Sequence, residues 1–325
     1  MNYTKATAKT YAKQHFTGVC AATPMPMLAD GLIDEIGYRK NLAHWVGTLK
    51  LDGLFVCGKQ AEYFSMSIAE RKRDFEIVQA VVNEQKNLGN TTHCNTVMSC
   101  SDTNLDVVID LAKHAQTIGA DYVIIHSPVL HFGADTDETI YEYYRHLSEV
   151  LDIGIALWNH PDCGYEMSPQ LCHRIALLSN IVAIKYSVGR DKYAKLTRLA
   201  GHLIQVSTAS EEEWFDNIVT LGWRLYLCST PPVLLQTAND LRIREYTYLA
   251  FEGKIEQAKT VRDSLNAARE AFKAAKPHGK PQAMSKYWLE LLGFAGGPVR
   301  RPLLQLTEEE KTHARACFAK SNLKV

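Results

Sequence analysis

Eight short apolar or β-branched runs, each followed by a longer segment of helical period, recur along the first 228 residues, and no two runs lie close enough for a hairpin. The runs cover residues 18–23, 53–57, 92–97, 121–126, 153–158, a stretch ending at Lys185, 203–207 and 224–228. Strands separated by helices must pair in parallel through helical crossovers. Eight such units predict an α/β fold of the (β/α)8 TIM-barrel type. The rival, a doubly wound open sheet, would usually carry a Gly-rich phosphate loop after an early strand, and this chain has none.

The spacing also predicts the helices between the runs. A helix over 32–50 turns Ile33, Ile36, Leu42, Val46 and Leu49 inward, and one over 67–86 opens with a Ser-Ile-Ala-Glu capping box and carries a charged face. Others cover 103–118 and 136–151, start near Ser168-Pro169, and cover 210–221 with Glu211, Glu212 and Glu213 in the first turn. Residues 1–230 are read as the barrel and 231–325 as a C-terminal helical extension, with helices ending at 248 and covering 253–275, 284–292 and 308–320.

Charge narrows the partners. Lys plus Arg and Asp plus Glu both number 36, so no net field draws the chain to nucleic acid or to an anionic membrane, and a small molecule is the expected ligand. No apolar stretch of signal-peptide or membrane-spanning kind is present, which predicts a cytoplasmic protein. The eight cysteines form no Cys-x-x-Cys pair and are expected as small buried thiols, four of them inside predicted strands.

In a barrel the reactive groups collect where strands end. The residues there are Thr23-Pro24, Gly58 to Glu62, Asn95 to Ser99, His126-Ser127-Pro128, Trp158 to Pro161, Lys185, and Ser207-Thr208. Lys185 closes an apolar run from Ile181 and has two readings. It is either a solvated lysine just past a strand, or a desolvated amine whose charged form is disfavoured and which attacks carbonyls.

This set of residues resembles the dihydrodipicolinate synthase / N-acetylneuraminate lyase family of class I, Schiff-base aldolases. The resemblance rests on 18–24 with its Thr-Pro end, Gly58-x-x-x-Glu62, Ser127-Pro128, the aromatic-Asn-x-Pro of Trp158 to Pro161, Ile184-Lys185, and the Leu291-Leu292-Gly293 to Leu303 segment. It implies that Lys185 forms the imine with pyruvate or a larger 2-oxo acid, and that Gly58, Lys59 and Gln60 hold the carboxylate. It further implies that Thr23 orders the bound species and that backbone groups near Ser207 meet its distant end. No metal or organic cofactor is implied, and a homo-oligomer, tetramer or dimer, is expected.

Two departures shape the functional reading. The family's Gly-Thr-Thr-Gly-Glu loop is Gly58-Lys59-Gln60-Ala61-Glu62 here, where Lys59 either enters the site or turns to solvent. Trp158 replaces a proton-shuttling tyrosine, Val129-Leu130 replaces a tyrosine pair, and an indole can donate a hydrogen bond but not act as an acid. His160 is the first choice to replace the tyrosine, with His126, His131 and Tyr186 as further candidates. His126 faces either the barrel interior or the helix layer. Val129, Leu130, Phe132 and Trp158 suit a bulky uncharged aldehyde portion, a likeness to the hydratase-aldolases of aromatic 2-oxo acids. The rivals are a family member that binds a 2-oxo acid or partner without turnover, and a metal-dependent aldolase using His126, His160 and Asp162.

Overall fold

The computed structural model describes residues 1–128 and 136–324, with all side chains there except that of residue 162. Among the described residues eight strands form one sheet: β1 (Gly18–Ala22), β2 (Gly53–Val56), β3 (Asn95–Ser99), β4 (Tyr122–His126), β5 (Gly154–Asn159), β6 (Ile181–Tyr186), β7 (Gln205–Ser207) and β8 (Leu225–Leu227). Their order is β7-β6-β5-β4-β3-β2-β1-β8. The ladders β1–β8, β3–β4, β4–β5, β5–β6 and β6–β7 are all parallel. The two ends of the order meet, because Ser207 Oγ on β7 accepts from the Leu227 N–H of β8 at 2.7 Å. This is the (β/α)8 barrel topology that the eight runs predict.

Helix α1 (Ala8–His15) precedes β1. The crossovers are α2 (Glu35–Ala43), α3 (Ile68–Asn87), α4 (Leu105–Thr117), α5 (Thr136–Val150), α6 (Pro169–Ala176), α7 (Arg190–Ala200) and α8 (Trp214–Leu221). After β8 come α9 (Pro231–Leu234), α10 (Arg242–Phe251), α11 (Ile255–Ser264), α12 (Asn266–Ala275), α13 (Pro281–Leu291) and α14 (Glu308–Phe318). No helix among the described residues is long and apolar enough to cross a membrane.

The contacts gather the chain into two compact units. The first, residues 1–20 with 95–228, contains β3 to β8, the start of β1, and helices α1 and α4 to α8. Every residue of β3 to β8 is buried, as expected of parallel strands covered on both faces. The second unit, residues 21–94 with 229–325, contains β2, α2, α3 and all helices after β8.

Several boundaries differ from the sequence reading for identifiable reasons. The third strand starts at Asn95 and not at 92, because the Thr91 hydroxyl bonds both the His93 carbonyl and its N–H and holds a turn there. The 32–50 helix starts at Glu35, since the Asp34 carboxylate accepts from the Gly37 N–H, and its last turn becomes a π-turn over His44–Thr48. With that start the inward residues are Tyr38, Asn41, Leu42, Trp45 and Val46, while Ile36 is 72% exposed. Residues two apart do not share a helix face. Helix α8 starts at Trp214, so Glu211 to Glu213 precede its first turn and Glu211 is buried instead of capping a dipole. The 253–275 helix is two, parted at Leu265, whose N–H bonds back to Arg262 O at 3.2 Å in a tighter turn.

The box at Ser67 is present, its hydroxyl accepting from Glu70 N–H at 3.2 Å while the Glu70 carboxylate accepts from Ser67 N–H at 2.8 Å. Ser67→Ala is therefore expected to cost about 1 kcal/mol. A shifted urea midpoint at unchanged slope would report it, and an unmoved midpoint would show that the cap contributes nothing. In the second unit the Gly296-Gly297 pair of the C-terminal motif is a close approach. A Cβ on Gly296 would lie 2.2 Å from Lys286 O, and one on Gly297, at φ +72°, would lie 1.9 Å from Met27 O.

Candidate active site

The first unit collects the lysine and its neighbours by strand register. Parallel pairing sets His126 beside Trp158, Trp158 beside Lys185, and Lys185 beside Ser207, one row across the ends of β4 to β7. Cross-strand partners share a sheet face, and the next residue along each strand takes the other. Tyr186 identifies the outer face: its hydroxyl donates to Met167 O at 2.5 Å, just before α6. Lys185, Trp158 and His126 therefore point to the inner one, which settles the open orientation of His126.

Lys185 is only 4% exposed, and Nζ donates to the backbone carbonyl of Cys228 at 3.1 Å and lies 5.5 Å from the centroid of the Trp158 ring. Two histidines also neighbour the indole, with the His126 ring at 5.7 Å and tilted and the His160 ring at 6.4 Å, edge-on. The His126 ring is fixed by its Nδ1, 2.7 Å from Ser127 O, and its backbone N–H donates to Ser101 Oγ at 3.1 Å. Ser207 Oγ donates to Thr208 O at 3.3 Å besides accepting from β8, so its hydroxyl is committed to the barrel closure. Burial pushes the Tyr186 phenol up, and its position in the helix layer removes it from the proton-transfer candidates.

The second unit holds the residues expected at the carboxylate. Thr23 is buried, with N–H and hydroxyl both directed to Phe55 O at 3.1 and 3.4 Å. Gly58 admits the Phe55 ring, which a Cβ would meet at 2.9 Å. Residues Lys59–Ala61 form one 3-10 turn, in which Lys59 is half-buried and its carbonyl accepts from Gln282 Nε2 of α13 at 3.3 Å. Gln60 Nε2 reaches Ser229 Oγ at 3.5 Å.

Two buried features of this unit are not legible from the sequence, the pairing of the motif residue Glu62 and the burial of Asp74. Glu62, left-handed at φ 61° and fully buried, pairs with Lys286 of α13 and accepts the Arg300 N–H at 2.8 Å. Lys286 also donates to Pro298 O at 2.8 Å; burial lowers its pKa, and Glu62 opposes that shift. The second is Asp74, fully buried near Tyr38, Cys57 and Arg71. Burial pushes its carboxyl up to about 7 against the opposing pull of those three groups. The charged face expected of α3 is thus partly a buried one, as Arg71 shows. An acidic residue one turn from a basic one inside an otherwise polar helix was the only available signal.

Of the remaining expected residues, Val129, Leu130, His131 and Phe132 lie outside the described residues, as does the side chain of Asp162. Among the described residues no three His, Cys, Asp or Glu side chains are arranged to hold a metal. All eight cysteines are buried free thiols, with Cys20 inside a strand and Cys57, Cys94 and Cys228 next to strand ends.

The Dihydrodipicolinate synthetase family model matches residues 15–320. The chain belongs to that family, whose named members are synthases and lyases. It is 34% identical over 295 residues to an uncharacterized DapA-like lyase of Thermococcus onnurineus, covering 88% of this chain and 92% of the relative. It is 25% identical over 295 residues to the 4-hydroxy-tetrahydrodipicolinate synthase of Clostridium perfringens (strain SM101 / Type A), covering 90% and 94%. The chloride-inhibited dihydrodipicolinate synthase of Acinetobacter baumannii, solved with pyruvate, shares the fold at a TM-score of 0.81 and 21% identity over 94% of this chain and 99% of that one.

Proposed function

We propose that the protein is a class I lyase in which Lys185 forms an imine with pyruvate or a larger 2-oxo acid. The observation that carries this reading is the placement of a 4% exposed lysine at the C-terminal end of β6, with its Nζ on a neutral carbonyl and beside an indole. Desolvation at such a site works toward the neutral, nucleophilic amine, while the carbonyl and the indole face hold its position and oppose that effect. Attack on the ketone and loss of water give the imine, which withdraws electrons from the neighbouring carbon. Cleavage, condensation or dehydration follows there.

The backbone of Gly58, Lys59 and Gln60 is assigned to the carboxylate and Thr23 to ordering the bound species. Trp158 shapes the aldehyde side, the backbone near Ser207 meets the distant end, and His160 is a proton-transfer candidate. The lysine supplies the electron sink, so the reaction calls for no metal or organic cofactor. A cytoplasmic homo-oligomer, tetramer or dimer, completes the reading.

Intact mass after incubation with pyruvate and borohydride tests it. Wild type is expected to gain one reduced pyruvate, and Lys185→Ala none. Failure of wild type to be trapped by pyruvate and by aromatic and aliphatic 2-oxo acids would overturn the lyase reading in favour of a family member without turnover, consistent with the absence of an acid on Trp158.

A further inference from the structure

We infer that His126 is the acid–base catalyst of this reaction, acting on the hydroxyl of the carbon two positions beyond the imine carbon. The inference rests on the imine reading of Lys185. His126 and Lys185 flank Trp158 in one register row on the inner face, with the indole 5.7 Å from the imidazole and 5.5 Å from Nζ. Two strand spacings separate their backbones by roughly 10 Å. From an imine nitrogen to a hydroxyl on that second carbon is about 5 Å of covalent chain, and a hydrogen bond adds about 2.8 Å. A substrate fixed at Nζ and lying over the indole thus brings that hydroxyl to the histidine. Trp158 itself has an N–H donor but nothing that takes a proton.

The ring is also held in the useful tautomer. A carbonyl only accepts, so the 2.7 Å contact with Ser127 O places the proton on Nδ1, and the lone pair of the neutral ring is on Nε2. In the cleavage direction Nε2 takes the hydroxyl proton as the bond between the first and second carbons breaks. The bonding pair moves into the protonated imine to give the neutral enamine, and the second carbon leaves as an aldehyde. The enamine then takes a proton at its terminal carbon, and water releases the 2-oxo acid. Condensation is the reverse, with the imidazolium protonating the forming alkoxide. His160, edge-on to Trp158 and partly exposed, is the competitor.

The test uses the full chain as wild type, His126→Gln, His126→Ala and His160→Gln, with two readouts. Borohydride trapping of pyruvate reads the imine, and condensation of pyruvate with benzaldehyde or acetaldehyde to the 4-hydroxy-2-oxo acid reads the proton step. His126→Gln is expected to keep the trapped adduct while condensation falls roughly 100-fold to 10,000-fold. Added imidazole is expected to restore part of the rate to His126→Ala, and His160→Gln, which alters the competing histidine, is expected to lose at least tenfold less than His126→Gln. Condensation by His126→Gln near the wild-type rate overturns the assignment, as does a wild type that is trapped yet condenses neither aldehyde. Loss of the adduct in both His126 variants would assign the residue to building the lysine site and overturn the proton role. Absence of the adduct in wild type would instead fall on the imine reading itself.

Discussion

Lys286→Met is expected to destabilise the protein by about 3–5 kcal/mol, because it leaves the Glu62 carboxylate buried without its counter-charge. Both side chains of the pair are essentially inaccessible, at 1% and 0%. Burial, with a smaller contribution from the Arg300 charge, lowers the Lys286 pKa, and Glu62 is the main group opposing that shift. Removing either partner strands the other in a medium that cannot solvate it. Glu62→Gln should therefore cost a comparable amount, although an amide oxygen could still receive the Arg300 N–H at 2.8 Å. The double variant Glu62→Gln/Lys286→Met is expected to recover a large part of the loss, because no unpaired charge remains. Urea denaturation of the four proteins closes the cycle. A single variant costing less than about 1 kcal/mol would place the pair among weak surface bridges and end the argument. The pair also anchors the left-handed Glu62 that ends the Lys59–Ala61 turn, while Gln282 of the same helix holds Lys59 O. Loosening α13 should accordingly raise KM for a 2-oxo acid more than it lowers kcat.

The barrel was legible because buried parallel strands are continuous apolar runs, and such runs announce themselves one by one. The same continuity hid the site. A strand buried on both faces has no polar alternation, so nothing in 121–126 said which way His126 points. Only the register against Trp158, with Tyr186 marking the outer face, decides it. Helix starts were misread where a single cap outweighs periodicity: Asp34 delays α2 and turns Ile36 to solvent. The Gly296-Gly297 motif could be recognised but not explained, since what it approaches, Met27 and Lys286, is far away in the chain. Glu62 belonged to a recognised motif, yet its lysine partner sits in a helix whose sequence marks Lys286 no differently from any surface lysine.

Asp74 was equally hidden, in the run Glu70-Arg71-Lys72-Arg73-Asp74 that reads as a solvated face. Its burial carries the other large expected effect, a loss of stability as pH rises. The carboxyl stands at about 7 in the folded protein against 3.8 for the unperturbed group, so between those values the native state binds the extra proton. Stability then falls with increasing pH, because the slope follows the protons bound by the unfolded state minus those bound by the native one. The favourable contribution is complete below 3.8 and is lost as pH rises through 7. At about 1.4 kcal/mol per pKa unit, wild type is expected to lose roughly 2–3 kcal/mol between about pH 5 and about pH 8 through this group. Asp74→Asn keeps the shape but has no proton to lose. Its stability curve should stay flatter across that interval and lie above wild type at the alkaline end. Histidines titrating in the same interval enter both curves, so the difference between the two proteins isolates Asp74. Parallel curves would mean that the carboxyl is already ionised in the fold and satisfied by Arg71, and the protonated-core argument would fail. The consequence for function follows from Tyr38: Asp74 helps push that phenol up while the Thr23 hydroxyl beside it pulls the other way. A protonated Asp74 keeps charge out of the layer beneath Thr23, and its ionisation would set a buried negative charge behind a residue assigned to an anionic substrate.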